Sequence, residues 1–436
     1  MITPAFLVGA FLLVLAQILL PRKYAFLPLL IAGCHFGFGK IVGDLTIVRL
    51  LIIIGMIRAW SVRSSAQKAP SKLDTVFALF SIWMILSSLG HKSTPFNPWT
   101  YRLGLAFNIL GTYFYARNYL PDIESFRRFV LLLPIVLLPL GAAMTVEKRT
   151  QRNYYYIIGA DSHDAAVREG KVRAQGPFTH PILAGCAGAT ALPFAYLLWK
   201  MNKRRLAILG FGVFMAITLA SSSSGPLAAV AVTGFAVVLW RWRARLRSFI
   251  WIAVCLSLVY GLAKGRGPWH IMGSIDLVGG STGYFRARLI DQSLTYINEW
   301  WLTGTDYTRH WMDTGVSWNP DHTDMTNYYI HLGVIGGLPL IIGLVTILSM
   351  CFKMIGRRMQ ELRKINHPDE LVLWCVGAAL AAHAISFVSI SYFDQMYVLF
   401  YLLVGAIPGL CHTAGAEPLV KEVTDDADTA RQASYA

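Results

Sequence analysis

Apolar stretches long enough to cross a lipid bilayer recur along almost the whole chain. The hydrocarbon core of a bilayer takes about 20 apolar residues of α-helix, and a helix satisfies its own backbone hydrogen bonds there. Of the 436 residues, 55% are apolar and only 14% are charged, which excludes a soluble protein with a single anchor. We predict an all-α polytopic integral membrane protein with one transmembrane domain over residues 1–410.

The apolar stretches predict thirteen spans, or twelve if one of the first three, which are short and closely spaced, does not cross. The predicted spans are 4–20, 24–40, 44–59, 74–90, 101–118, 127–146, 181–199, 206–222, 225–240, 248–263, 332–352, 371–389 and 392–410.

The net charge of +15 is distributed in a way that indicates membrane orientation, not nucleic-acid binding. Basic residues gather in the short connections between spans, and the positive-inside rule places such segments in the cytoplasm. With thirteen spans these connections all fall on one side, so the two long polar loops, 147–180 and 264–331, lie outside. The acidic segment 411–436 has few large apolar residues and is predicted to be a disordered cytoplasmic tail.

The end of the first exterior loop directs two polar residues to the membrane surface. It reads Arg173-Ala-Gln-Gly-Pro-Phe-Thr-His180-Pro181, in which Gly-Pro forces a turn and Pro181 suits the first turn of a helix. Arg173 and His180 are therefore expected at fixed positions. For Arg173, contact with lipid headgroups is the alternative.

The second exterior loop contains a segment, 283–301, with the periodicity of an amphipathic helix on the outer leaflet. Its apolar face is predicted to hold Leu289, Leu294, Ile297 and Trp301, and its polar face Arg288, Gln292, Thr295 and Glu299. The planar fork of arginine suits bidentate capture of phosphate, so Arg286 or Arg288 is expected to clamp a diphosphate. An internal pair between Arg288 and Asp291 or Gln292 is the alternative.

A titratable histidine lies where the second loop re-enters the apolar part of the chain. His322 stands within Asp321-His-Thr-Asp324, at the mouth of the following helix. Histidine is the side chain most easily tuned to trade protons near neutral pH, and this one has an aqueous front and a hydrophobic back. The position suits a general base for a lipid-borne substrate.

Taken together, these residues resemble the O-antigen ligase family, which includes O-antigen polymerases and bacterial protein O-glycosylation ligases. The family marker is a histidine, a small polar residue, nine further residues and Gly-x-x-Gly. His322-Thr323 followed by Gly333-Val-Ile-Gly336 matches it, with threonine where asparagine, serine or glutamine is commoner. The segments 173–184 and 288–304 resemble two further family blocks. The resemblance covers roughly residues 100–410 and implies a GT-C-like fold with 12–13 transmembrane helices and two exterior loops.

The resemblance implies a metal-independent glycosyltransferase of the bacterial inner membrane, acting on its periplasmic face in polysaccharide or lipopolysaccharide synthesis. The donor is expected to be a glycan on undecaprenyl diphosphate and the acceptor a glycan, lipid or protein, with no cofactor and no nucleic acid. Arg173, Arg286 and Arg288 are expected to hold the diphosphate and His322 to take the acceptor proton. Supporting roles are expected for His180, Asp321, Asp324 and Glu299.

Two alternatives remain open from the sequence. A repeat-unit polymerase of the same family shares this chemistry and differs in its acceptor. A membrane transporter is an alternative of another class, with a pathway lined by the intramembrane ionisable residues Arg49, Arg102 and Asp394.

Overall fold

A computed structural model describes residues 3–37, 40–42, 44–61, 71–92, 97–274, 283–316 and 319–416. The α-helices in these ranges are α1 (Pro4–Leu19), α2 (Leu27–His35), α3 (Ile47–Ser61), α4 (Lys72–Leu86), α5 (Pro98–Tyr119), α6 (Ile123–Thr150), α7 (Pro181–Lys200), α8 (Arg204–Ala220), α9 (Ser224–Leu239), α10 (Leu246–Lys264), α11 (Gly283–Thr295), α12 (Ile297–Trp300), α13 (Tyr328–Lys364), α14 (Asp369–Ser386) and α15 (Met396–Thr413). Short 3-10 helices cover Arg22–Tyr24, Ser87–Gly90, Tyr154–Ile158, Trp240–Arg245, Pro268–Ser274 and Arg309–Trp311.

The strands of the described residues form two-stranded antiparallel hairpins in the connections between helices. They are β1 (Lys40–Val42) with β2 (Leu45–Thr46), β3 (Ala166–Arg168) with β4 (Lys171–Arg173), and β5 (Gly315–Val316) with β6 (Asn319–Thr323).

The protein is a helical, multi-pass membrane protein. Seven helical segments among the described residues are long and apolar enough to cross a bilayer: Lys72–Gly90, Ile123–Thr150, Pro181–Lys200, Ser224–Lys264, Tyr328–Lys364, Asp369–Ser386 and Met396–Thr413. The side chains on their outer surfaces are large and apolar, as on α10, where Trp251 is 65% and Leu262 83% exposed. Such a continuous apolar surface is unfavourable in water and is compatible with a lipid environment.

Each of the thirteen predicted spans overlaps a helix of the described residues, but only seven helical segments there have the length and hydropathy of a crossing helix. Two predicted boundaries also differ from the structure. α2 has nine residues and is therefore about 14 Å long, less than half of a bilayer core, so the predicted span 24–40 does not form a full crossing helix. The predicted tail begins too early, because α15 continues to Thr413. The remainder of the predicted tail, 417–436, lies outside the described residues.

α7 is the central helix of the bundle, and its small residues explain how neighbouring helices approach it. Among the described spans it is the most enclosed, with 89% of its apolar window buried. A Cβ atom at Gly188 would lie 2.4 Å from the carbonyl oxygen of Phe214 in α8, and one at Gly185 would lie 2.4 Å from Ser221 Oγ. Small residues allow this backbone contact, which drives helix association in membranes. The first turn of α7 is likewise buried.

α13 is broken at Gly336 and Gly337, within and just after the glycine pair that the sequence singled out. Gly336 has φ −157° and Gly337 has φ 75° and ψ −172°, the latter a conformation essentially confined to glycine. The break frees backbone carbonyl groups. Arg102 donates to the carbonyl oxygen of Ile335, and Trp83 Nε1 donates to that of Gly336 at 2.8 Å.

The end of α12 and the chain that follows it are hydrogen-bonded to backbone groups on either side of this break. The Thr305 N–H donates to the Val334 carbonyl oxygen at 3.0 Å, and the Leu338 N–H donates to that of Trp301 at 2.8 Å. Gly304 permits the approach, since a Cβ atom there would lie 2.1 Å from the Val334 oxygen. The glycine motif thus anchors the chain at and after the end of α12 to α13.

The predicted amphipathic helix is present, but it is not continuous and its buried face differs from the prediction. Tyr296, with φ −97° and ψ 23°, separates α11 from α12. Of the four residues assigned to the apolar face, Leu289 is fully buried, whereas Leu294 and Trp301 are about half exposed. Arg286 lies on the buried face instead, together with Ala287, Leu289 and Ser293.

Candidate active site

Arg173 is fixed by the turn between α8 and α9. The Ala174 N–H donates to the Ala220 carbonyl oxygen at 3.1 Å, and the Ser222 hydroxyl donates to that of Val172 at 3.0 Å. These bonds hold the β3–β4 hairpin against the serine-rich turn. The side chain of Arg173 then donates from Nη2 to Ser223 Oγ at 2.9 Å. The serine-rich turn therefore positions the side chain of Arg173.

The segment between Arg173 and His180 is held by two buried carboxylates. Glu147 in α6 accepts the N–H groups of Gln175 and Gly176 at 2.9 and 2.8 Å. Asp394, in the connection before α15, accepts the Thr179 N–H and hydroxyl at 2.6 and 2.8 Å. The predicted Gly-Pro turn is thus clamped on both sides.

His180 begins α7 as its N-cap residue. Its Nδ1 accepts the Ile182 N–H at 3.1 Å, and Pro181 occupies the first helical turn as predicted. Burial and the charges of Arg173, Arg168 and Arg286 lower the pKa of His180 to about 4. The ring is therefore neutral at neutral pH, and it is close enough to all three arginines for their charges to act on it.

The three arginines whose charges act on His180 also act on one another and are here called the arginine cluster (Arg168, Arg173 and Arg286). Arg286 is only 5% exposed. Burial, followed by the charge of Arg168, lowers its pKa below the ordinary value, and the pKa of Arg173 is lowered in the same way. The Nε atoms of both Arg173 and Arg286 are buried and have no hydrogen-bond partner. Buried donors without acceptors are costly, and an anion would satisfy them.

Arg288 lies apart from the arginine cluster, although it is only two residues from Arg286. Its side chain is 37% exposed and its Nη1 donates to Asp313 Oδ2 at 2.6 Å. This hydrogen bond and the charge of Asp313 raise the pKa of Arg288. The internal pair foreseen as an alternative exists, but with Asp313 in place of Asp291 or Gln292.

His322 lies in β6, outside the membrane-spanning helices, and is half-buried. Its Nδ1 lies 3.1 Å from the hydroxyl of Thr308, which is fully buried. That hydroxyl also accepts the Thr323 N–H at 3.1 Å. Burial lowers the pKa of His322 below its ordinary value, and the charges of Asp306 and Asp321 oppose this effect. At neutral pH the ring is mainly neutral, the state that a general base requires.

Asp324 carries a charge that acts on the arginine cluster. It follows His322 by two residues, and it remains accessible to water. Partial burial raises the pKa of Asp324, an effect that the charge of Arg286 opposes. The charges of Asp324 and Arg286 therefore act on each other from just beyond the strand that carries the histidine.

The remaining predicted supporting residues differ in their relation to His322. The charge of Asp321 acts on His322, and its carbonyl oxygen accepts the Thr308 N–H at 2.9 Å. Glu299 instead pairs with His310 at 3.0 Å and accepts from Trp311 Nε1 at 3.3 Å. Its contacts indicate a role in the loop structure.

Asp306, His91 and Arg168 belong to this region and were not assigned a role from the sequence. Asp306 stands two residues before Thr308, and His91 reaches it from the connection after α4. Arg168 lies on the exposed part of the β3–β4 hairpin. The available signal was weak: Asp306 follows the Gly-Thr that ends a family-like block, and His91 stands in a short polar connection. Within the described ranges, no group of three or more His, Cys, Asp or Glu residues could hold a metal ion.

The ionisable residues proposed for a transport pathway have partners within the protein. Arg49 donates from Nε to Asn108 Oδ1 at 3.0 Å, Arg102 donates to the Ile335 carbonyl, and Asp394 accepts from Thr179. Each of these contacts joins two separate segments of the fold, so each residue has a structural role.

No protein-family model matches the chain, and no curated protein matches it either.

Proposed function

We propose that this protein is a membrane glycosyltransferase that transfers a glycan from undecaprenyl diphosphate to an acceptor hydroxyl on the outer face of a bacterial inner membrane. In this proposal the bundle is GT-C-like, with 12 or 13 spans. The exterior loops 147–180 and 264–331 form the active site above it. The resemblance of His322-Thr323…Gly333-x-x-Gly336 to the O-antigen ligase marker favours this reaction class.

The observation that carries the proposal is the pair of buried, unpartnered Nε atoms of Arg173 and Arg286. Both belong to an arginine cluster at the N-terminus of a helix, a place that favours anions. A diphosphate supplies acceptor oxygens for several guanidinium donors at once. The location also fits a lipid-borne anion, because α7 continues from this point into the membrane domain.

The chemistry follows from charge and proton movement. As the anomeric bond breaks, negative charge grows on the leaving diphosphate, and Arg173 and Arg286 stabilise it more in the transition state than in the ground state. His322 takes the proton of the acceptor hydroxyl. For its Nε2 to accept that proton, Nδ1 must carry hydrogen and donate it to Thr308 Oγ1. Displacement in a single step inverts the anomeric configuration.

The test is the size profile of surface and carrier-linked glycan in the native host that expresses His322→Ala. Full-length polymer accumulating on undecaprenyl diphosphate would identify a ligase whose transfer step has failed. Single repeat units in place of long chains would identify the polymerase of the same family.

His310→Ala is the matched control, because His310 is a histidine of the same loop that pairs with Glu299 and not with the site. It should leave the profile unchanged. An unchanged profile in His322→Ala at normal protein level would contradict both transferase proposals and favour transport.

A further inference from the structure

The histidine–carboxylate pair of His91 and Asp306 is close enough for its charges to act on His322, and it has no part in the steps above. His91 Nδ1 lies 2.5 Å from Asp306 Oδ1, and its Nε2 lies 2.7 Å from the Thr303 carbonyl oxygen. The Lys92 N–H donates to Asp306 Oδ2 at 2.8 Å. Both carboxylate oxygens and both ring nitrogens are therefore engaged, which fixes the pair in one geometry.

The elements that carry this pair are in close contact. A Cβ atom at Gly90 would lie 2.4 Å from Thr303 Oγ1, so the end of the 3-10 helix Ser87–Gly90 lies directly against the second loop. His91 is only 3% exposed, whereas Asp306 is 43% exposed. The buried imidazole thus holds a carboxylate that reaches toward solvent.

Asp306 keeps its negative charge at neutral pH. Burial raises the pKa of its carboxyl group, but the Lys92 N–H, the bond and charge of His91, and the charge of Arg102 outweigh burial and hold the pKa below its ordinary value. A carboxylate that accepts such bonds favours its ionised form.

Asp306 belongs to the segment that contacts His322 Nδ1. It precedes Thr308 by two residues. Thr308 contacts His322 Nδ1 directly. The groups whose charges act on or respond to His322 are Asp306, Asp321, His91 and His331.

We infer that Asp306 is a positioning residue for the transfer reaction: it is a fixed counter-charge for His322 after the proton has moved, and His91 holds its carboxylate in place. The inference rests on the proposed function. In the step concerned, the acceptor O–H bond breaks, its oxygen bonds to the anomeric carbon, and the proton goes to His322 Nε2. The electron pair of the anomeric bond leaves with the diphosphate. Asp306 remains ionised and compensates the new positive charge beside His91 and His331.

The direct test measures the titration of His322 without any transfer reaction. Full-length protein in nanodiscs is treated with diethyl pyrocarbonate, which modifies neutral imidazole, and modification of His322 is followed by mass spectrometry against pH. In Asp306→Asn the pH midpoint of His322 modification should fall by on the order of half a pH unit. The shift is modest because the carboxylate is partly solvated.

Two matched variants make the result decisive. Asp313→Asn removes an exposed carboxylate of the same loop, the partner of Arg288, and should leave the midpoint where it is. Asp306→Glu retains the charge and should restore most of the midpoint. An unshifted Asp306→Asn protein, or an equal shift in Asp313→Asn, would overturn the inference. If Asp306→Asn does not fold, Asp306→Glu with a wild-type midpoint supports the inference, and a midpoint that falls overturns it.

The reaction supplies an independent readout. In Asp306→Asn the acid limb of the pH–rate profile should move to lower pH and the plateau should fall by up to about threefold. A purely structural role would lower the plateau without moving the limb, and that result would also contradict the inference.

Failure of the proposed function can be told apart from failure of this inference. If the proposed function is wrong, His322→Ala leaves the glycan profile unchanged, while the chemical titration of His322 can still respond to Asp306.

Discussion

Arg102 in α5 donates two hydrogen bonds to the carbonyl oxygen of Ile335, from Nε at 3.2 Å and from Nη2 at 2.6 Å. The two residues are 233 positions apart. The bonds satisfy a carbonyl that the break in α13 leaves without a helical donor, and they connect the glycine motif to the N-terminal half of the bundle.

Replacing Arg102 with methionine should destabilise the protein by about 2–3 kcal/mol, because a buried carbonyl loses a charged donor. Ser87 Oγ, at 3.4 Å from the same oxygen, is too distant to compensate. The measurement is the apparent melting temperature of detergent-solubilised protein by size-exclusion chromatography after heating. Arg102→Lys is the matched variant, since it keeps the charge and one donor and should lose less. Equal melting of Arg102→Met and wild type would show that the bond contributes nothing.

Two glycines of α13 should respond in opposite directions to alanine. Gly337 has φ 75°, and a Cβ atom there would lie 2.1 Å from the Leu302 carbonyl oxygen, so Gly337→Ala should cost more than about 3 kcal/mol. Gly356 has nothing within 4 Å of its Cβ position, and Gly356→Ala should be neutral or stabilising by up to about 1 kcal/mol.

The yield of monodisperse protein and its melting temperature give the comparison between the two glycine variants. A Gly337→Ala protein as stable as Gly356→Ala would mean that the break in α13 is not required for folding.

The sequence predicted the helices well because length and hydropathy determine a membrane span locally. The helix start at Pro181 was also predictable, since the residue types that begin helices act over one turn. The length of α2 was not, because the apolar stretch 24–40 continues past the point where the chain leaves the helix.

Contacts between distant segments were beyond prediction from the sequence. Arg102 was identified as a functional candidate on the ground that intramembrane charge is expensive, yet its partner is a backbone oxygen freed by a helix break. The pairing of His91 with Asp306 joins residues 215 positions apart. No local pattern encodes such a pair.

The choice between Arg286 and Arg288 shows a further limit of periodicity. The sequence pattern identified an amphipathic helix, but apolar residues lie both on its buried face and on its exposed face. Leu289 is buried while Leu294 is 48% exposed. The face that carries Arg286 therefore became evident only with the packing of α11 against the rest of the protein.

Protein stability should fall in acid through His180. Its folded pKa is about 4, against 6.5 for the free side chain. Because the folded pKa is depressed, the unfolded chain takes up a proton between pH 6.5 and 4 that the folded protein does not. Stability is therefore lost as pH falls through this window, by about 3 kcal/mol at most. Below pH 4 this contribution changes no further.

His180→Asn tests this prediction, because asparagine can still accept the Ile182 N–H as an N-cap but does not titrate. The difference in melting temperature between pH 7 and pH 4.5 should be smaller in this variant than in wild type. His163→Asn, at an exposed histidine of the same loop, should retain the wild-type difference. An unchanged pH dependence in His180→Asn would exclude His180 as its source.

Binding of the donor lipid should depend on Arg286 and much less on Arg288. Arg286 is buried with a free Nε in the arginine cluster, whereas Arg288 is exposed and paired with Asp313. Loss of a buried, charge-assisted contact to phosphate should weaken binding by about tenfold or more in Arg286→Gln. Arg288→Gln should stay within about twofold of wild type. Arg286→Lys keeps the charge but not the planar fork, so its affinity should be intermediate.

Binding of radiolabelled undecaprenyl diphosphate to each variant in nanodiscs gives the comparison. A greater loss in Arg288→Gln than in Arg286→Gln would place the diphosphate on the exposed face of α11 and remove the arginine cluster from the proposed site.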